Sequence, residues 1–176
     1  MDRTTPRAEA GLDVLRDVFR HHAWATLQLI QYCATLPLDS LSQSVPGTRG
    51  PILETLRHIV IADYGYAKRF RVHSEPAVKE LDLATVELMR TVFVQQAQTW
   101  QSLLERLPEF DITIAAEPWE DPPWPETPHA QNLLLIQAVH HGNEHRTQIC
   151  TVLGSKGLEV PDLSCWAYWA AERIPR

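Results

Sequence analysis

Residues 140–150 of this chain read HHGNEHRTQIC, and this stretch indicates how the chain folds. It places His141 and His145 four residues apart, in a segment free of strand signals and of proline. In an α-helix such residues stand about 40° apart on one face, one turn above the other. The same face carries the apolar residues Leu134, Ala138 and Val152. We therefore expect a long helix whose two imidazoles point into a helical core.

Two imidazoles on one helical face can bind a single divalent ion, at about 2.0–2.1 Å for zinc. Because unpaired buried imidazoles are costly, a metal ion is one way to satisfy them. Two hydrogen-bonded core histidines, or a half-exposed helical face, would give the same spacing, which is common in helices. A tight metal site also needs a third ligand, and periodicity does not choose among the candidates His21, His22, His58, His73 and His129.

Apolar residues at helical spacing predict four long helices in the chain. They run from residue 6 to about 36, from 51 to about 71, from a plausible N-cap at Asp82 to about 107, and from about 127 to 153. A short fifth helix is predicted after Asp162. Since strand signals are almost absent, we expect an all-α fold, a four-helix up-and-down-type bundle forming one domain over residues 1–176.

A Pro- and Trp-rich loop at residues 109–128 precedes the fourth long helix. Connections of this length are often functional lids. Its Trp119 and Trp124 would then either cap a site or cover an apolar surface.

The composition restricts the function classes. Sixteen Lys and Arg face 22 Asp and Glu, a net charge of −6 without a basic cluster, which argues against nucleic acid as a partner. Three widely spaced cysteines argue against a disulfide framework, and no signal-peptide or membrane-spanning segment stands out. We expect a soluble cytoplasmic protein.

Four stretches together resemble the DinB/YfiT-like family of metalloproteins, in the expected order. LRHIVIADYGYAKRF (56–70) looks like its second-helix motif LxHIxxAxxxW, and HHGNEHRTQICTVLG (140–154) resembles its NHGxxHRGQ motif. RHHAWATLQLI (20–30) is similar to the region around a WAN tripeptide, and VPDLSCWAYWAAE (160–172) to the closing segment. Thr147, His140 and Tyr66 depart from the usual Gly, Asn and Trp.

The resemblance implies that His58, His141 and His145 bind one divalent metal ion, zinc first, with nickel, iron or manganese as alternatives. It also implies a metal-dependent enzyme, such as a low-molecular-weight-thiol S-transferase or a related hydrolase. A non-catalytic metal- or small-molecule-binding protein is the alternative. A third hypothesis is a structural module whose histidines are merely buried. It does not account for three histidines at the positions of the family's metal ligands.

Other polar residues lie near these motifs. Glu54 and Asp63 are candidates for a general base, although either could instead orient a ligand or simply be solvated. Arg146 and Gln148 are candidates for holding an anionic substrate, although Arg146 would equally suit an ion pair at the surface or a subunit interface. Core packing is expected for the cysteines Cys33, Cys150 and Cys165.

A homodimer is expected from the second long helix, which has more apolar residues than one core-facing stripe needs. These additional residues are Leu53, Val60, Ile61 and Tyr64.

Overall fold

The computed structural model describes residues 6–70, 83–106 and 128–173. Residues 109–127 of the predicted Pro- and Trp-rich loop, which include Trp119 and Trp124, lie outside these ranges. His73 and Asp82 lie outside them as well. Within the described ranges all regular secondary structure is helical, so the predicted all-α bundle is confirmed. None of the described helices is long and apolar enough to cross a membrane.

The described chain forms six helices: α1 (Pro6–Ala34), α2 (Leu38–Leu41), α3 (Ile52–Arg69), α4 (Val86–Arg106), α5 (Pro128–Ser155) and α6 (Cys165–Arg173). The four predicted long helices are α1, α3, α4 and α5. Helix α4 begins later than the predicted start near Asp82, because the Thr85 hydroxyl accepts the Leu88 N–H at 3.2 Å and caps the helix. The single turn α2 is too short for periodicity to predict.

The long helices form a ring in which α1 packs on α4 and α5, and α3 packs on the same two helices. The Phe19–Trp100 and His22–Phe93 ring contacts show that α1 and α4 run antiparallel. By contrast, Val60 and Asp63 of α3 bond to Gln96 and Trp100 of α4 in the same order, so these two helices run parallel.

Helices α3 and α5 are antiparallel neighbours: His58 faces His141, while Arg49, just before α3, bonds to Gln148. The directions of the four long helices are therefore up, down, down and up; they depart from the alternating order of the predicted up-and-down-type bundle, because α3 and α4 run parallel. When two consecutive helices run parallel, their connection must span the length of a helix, from the end of the first to the start of the second. The chain between Arg69 and Val86 is long enough, since an extended residue spans about 3.3 Å and a helical one about 1.5 Å.

Two apolar clusters fill the bundle, one at each end. The first is built around Leu29, Leu56, Met89 and Val152, and the second around Phe19, Phe70, Trp100 and Leu134. Between them lies a buried polar layer formed by His22, Thr26, Asp63, Gln96 and Arg146. Every long helix contributes at least one residue to this layer.

Hydrogen bonds connect the polar layer across the bundle. Arg146, only 3% exposed, donates to Thr26 Oγ1 at 2.8 Å and contacts His22 Nδ1 at 3.2 Å. His22 Nε2 lies 3.0 Å from Asp63 Oδ1, and Trp100 Nε1–H donates to Oδ2 at 2.9 Å. Because a guanidinium only donates, His22 accepts at Nδ1 and carries its proton on Nε2, which donates to the carboxylate. Neutral His22 thus connects the positive charge of Arg146 to the negative charge of Asp63.

The close approach of α1 and α5 at this layer depends on Gly142. A Cβ atom there would lie 2.4 Å from His22 Cε1 and 3.0 Å from Arg146 Nη1. His22 is 1% exposed and hydrogen-bonded through both ring nitrogens, so it has little room to move away. The glycine between the two helices is therefore a packing requirement.

The argument for a homodimer from α3 was wrong. Val60 and Tyr64 are buried in the first apolar cluster, and Leu53 and Ile61 are partly buried against it. These additional apolar residues of α3 are buried within the bundle itself, because α3 packs against both α4 and α5. The homodimer stays a prediction, without this surface as its support.

The three cysteines differ in how deeply they are buried. Cys33 is buried as expected, Cys150 is half-buried, and Cys165 is exposed at the start of α6, so its predicted core packing was wrong. The segment just before α6 is joined to α1 by a contact of 2.9 Å between His21 Nε2 and the Leu163 carbonyl.

We predict that Gly142→Ala lowers the free energy of unfolding by about 1–3 kcal/mol, because it overpacks the contact between α1 and α5. The measurement is urea unfolding followed by circular dichroism. Gly65→Ala is the matched control, since Gly65 is also helical but has nothing within 4 Å of an added Cβ. That change should stabilise the protein slightly, through helix propensity. Equal stability of the two variants would contradict the packing argument.

Candidate metal centre

Three histidines from two helices converge on one point between α3 and α5. His58 Nε2 lies 2.9 Å from His141 Nε2. The centre of the His145 ring lies 4.8 Å from the centre of the His58 ring and 4.4 Å from the centre of the His141 ring. One ligand nitrogen from each of the three rings lies within 4.8 Å of the others. Among the described residues this is the group of side chains that could hold a metal ion.

These distances fit a metal ion. Nitrogen ligands of a tetrahedral zinc ion lie about 3.3 Å apart, because each Zn–N bond is about 2.0–2.1 Å long. His58 Nε2 and His141 Nε2, at 2.9 Å, are slightly closer than that value, and all three ligand nitrogens lie within 4.8 Å of one another, so the required movements are small. The donor set is also suitable, since three neutral imidazoles are good ligands for zinc and its neighbours.

The orientation of His145 is fixed by Gln148, one turn further along α5. Gln148 Oε1 lies 3.0 Å from His145 Nδ1, and an amide oxygen can only accept, so Nδ1 carries the proton. This leaves the lone pair on Nε2 of His145 as the ligand atom. Metal-binding histidines are commonly oriented by such a hydrogen bond to their second ring nitrogen.

The surroundings keep two of the three histidines, His58 and His141, uncharged near neutral pH. Burial lowers the pKa of His58 to about 4, helped by the charges of Arg49 and His145. Burial also lowers the pKa of His141 to about 3, helped by His145, His58 and Arg49. Tyr66 packs its ring edge-on against His141, with 5.6 Å between the ring centres, and so limits access of water on that side. Neutral imidazoles are the form that binds a metal ion.

The other sequence candidates lie elsewhere. His22 belongs to the buried polar layer and His21 holds the carbonyl of Leu163, so neither joins the triad. His73 lies outside the described residues, and so does the side chain of His129.

The two candidate bases are both engaged. Asp63 uses its two oxygens for His22 and Trp100, while Glu54 pairs with Arg57 at the surface. Arg146 is neither a surface residue nor free to hold a substrate, because it is buried against α1. Its expected ion pair at a surface or subunit interface was therefore wrong.

One residue near the triad was not predicted. Arg49 lies in the loop between α2 and α3, and its backbone N–H donates to Gln148 Oε1 at 3.1 Å. Its position in the sequence, in the SVPGTRGP stretch that leads directly into the helix of His58, is the signal that would have found it.

A groove of about 680 Å³ runs between α1, α4 and α6, with Phe19, Trp24, Trp100 and Tyr168 among its lining residues. None of the three converging histidines lines it. It is therefore separate from the candidate metal centre between α3 and α5.

We predict that the metal-free protein loses stability as the pH falls from about 7 to about 4.5. The unfolded chain takes up protons on histidine below about pH 6.5, whereas folded His58 and His141 resist protonation until about pH 4 and 3. The unfolded state therefore binds more protons in this window, and the free energy of unfolding rises with pH there.

Urea unfolding in the presence of a chelator at several pH values measures this dependence. His141→Gln should weaken it, and His140→Gln, at an exposed neighbouring position, should leave it unchanged. A pH dependence as steep in His141→Gln as in the parent protein would contradict the assignment.

Comparison with known proteins agrees with this architecture. The sequence model of the DinB family matches residues 8–175, which is nearly the whole chain. No curated protein matches the chain in sequence. The matched range contains α3 and α5 and therefore all three converging histidines. The chain belongs to the DinB family.

Proposed function

We propose that this DinB-family protein binds one divalent metal ion through His58, His141 and His145 and uses it in a reaction of a small-molecule thiol. The reaction class is S-transfer: the thiol sulfur forms a bond to an electrophilic carbon, the leaving group departs with its electron pair, and the thiol proton passes to solvent. Zinc is the preferred ion, and nickel, iron and manganese also suit imidazole ligands.

The convergence of the three histidines is the observation that carries this proposal. They come from two antiparallel helices, with His58 and His141 in contact at 2.9 Å. Three protein ligands leave a metal ion with an open position, as in catalytic rather than structural zinc sites.

A divalent ion held there would lower the pKa of a coordinated thiol or water, so that the nucleophile forms near neutral pH. The residues of the chain support this chemistry. Gln148 sets the tautomer of His145, and Tyr66 shields one side of His141. Because all three ligands are neutral, the ion keeps its full positive charge for the incoming nucleophile.

The carboxylates near the motifs favour thiol chemistry over hydrolysis. Asp63 is hydrogen-bonded through both oxygens, Glu54 pairs with Arg57 at the surface, and neither carboxylate belongs to the group of side chains that converges with the three histidines. A coordinated thiol has less need of a base, because its pKa starts at about 8.5 and a metal ion lowers it further.

Metal analysis of the purified protein, followed by activity tests with thiols and electrophiles, examines the proposal. We expect about one equivalent of metal per chain and thiol-dependent consumption of an electrophile. A metal-loaded protein that turns over no thiol, ester or amide would favour the non-catalytic binding protein.

We predict that His141→Ala abolishes metal binding and activity but leaves the helical fold intact. The bundle is held by two apolar clusters and the polar layer, none of which includes the triad. Metal content, melting temperature and turnover are measured together. His140→Ala is the control, since His140 is exposed and adjacent. Unfolding of the His141→Ala protein would instead indicate a structural metal.

We also predict that Gln148→Ala weakens metal binding about tenfold, the usual effect of removing a partner that orients a histidine ligand. Competition against a coloured chelator gives the affinity. Gln137→Ala, on the same helix and without a hydrogen bond to any described residue, is the control. Equal affinities for these two variants would disprove the role of Gln148.

A further inference from the structure

Arg49 lies in a short loop that its own hydrogen bonds hold in place. The N–H and hydroxyl of Thr48 donate to the Val45 carbonyl at 3.3 and 2.8 Å, and the Ile52 N–H donates to the Gln43 carbonyl at 3.1 Å. Gly47 and Gly50 have φ values of 86° and 154°, which favour glycine. The backbone on both sides of Arg49 is therefore constrained.

The loop is attached directly to the candidate metal centre. Gln148 Oε1 accepts from the Arg49 backbone N–H at 3.1 Å and from His145 Nδ1 at 3.0 Å. One amide oxygen thus connects the backbone of Arg49 to a ring of the triad.

The side chain of Arg49 is exposed and uncommitted. The arginines at positions 16, 20, 57 and 90 each pair with an acidic residue three positions earlier. Arg49 has no acidic residue at that spacing, and its guanidinium makes no hydrogen bond or ion pair with any described residue. The nearest acid in this hydrogen-bond chain, Glu144, lies 3.5 Å from Gln148 Nε2 instead.

We propose that Arg49 binds the carboxylate of the small molecule whose thiol occupies the open position at His58, His141 and His145. The preferred ligands are then low-molecular-weight thiols that carry an acidic group. This assignment rests on the proposed function, and it names the class of thiol and the residue that selects it.

The charges favour such a ligand. Three neutral imidazoles leave a divalent ion uncompensated, and Arg49 adds a further positive charge at the edge of the site. A planar guanidinium can bind a carboxylate through two parallel hydrogen bonds. Because Arg49 is exposed, water and salt weaken this pairing, and we expect an effect of about two- to fivefold in affinity.

The experiment uses Co²⁺-loaded protein, whose visible absorption changes when a thiolate coordinates. The two probes are 3-mercaptopropionate and its uncharged methyl ester. In Arg49→Gln, we expect binding of 3-mercaptopropionate to weaken about two- to fivefold while binding of the ester stays unchanged. Arg90→Gln, which makes the same change in net charge on the surface of α4, should bind both probes as the parent protein does.

Two results would overturn the proposal in different ways. If Arg49→Gln weakens both probes equally, Arg49 acts only through the loop and does not recognise the carboxylate. If neither probe changes the spectrum of the Co²⁺-loaded parent, the proposed thiol chemistry itself fails, and this assignment fails with it.

Arg49→Lys keeps the proposal testable if the glutamine variant binds metal poorly. It retains the charge and loses the two-pronged geometry. It should keep part of the preference for the acid over the ester, and loss of all preference for the acid in a metal-loaded lysine variant would contradict an electrostatic role.

Discussion

The buried polar layer is the constraint on which the bundle depends. Arg146, His22 and Asp63 place a positive and a negative charge inside the protein, connected by a neutral imidazole. Breaking such a buried pair by removing one partner typically costs about 3–5 kcal/mol, because the other charge is left unpaired. Sliding one helix by a turn, about 5.4 Å, would have the same effect. The layer therefore fixes the register of the helices, and with it the position of His58 opposite His141.

Much of the fold could be predicted from periodicity, because helices bury one stripe and the stripe repeats along the sequence. The directions of the helices could not, because they depend on contacts between distant residues such as Val60 with Gln96. The same limit explains Arg146. Its position directly after His145 suggested a role at the site or the surface, yet at 3.6 residues per turn adjacent residues point about 100° apart. Arg146 accordingly faces α1.

The residues of the candidate site were likewise predictable only in part. The spacing of His141 and His145 predicted that these two rings lie together, and they do. His58 could be chosen over the four other histidines only by resemblance to a family, since its partners lie more than 80 residues away in sequence. Gln148 was considered as a substrate-binding residue, whereas it orients a ring of the triad. Arg49 carries no periodic signal, because it lies in a loop between two helices.

The loop of Arg49 has a consequence for how proteins of this design can diversify. It contacts the candidate centre through a single side-chain oxygen of Gln148, and it packs into neither apolar cluster beyond a partly buried Val45. Substitutions in such a loop would alter what approaches the three histidines while the bundle keeps its packing. Few mutations would then convert one ligand preference into another, at little cost to folding. Under the proposed role of Arg49, selectivity and stability are encoded in separate parts of the chain, and evolution can change the first without risking the second.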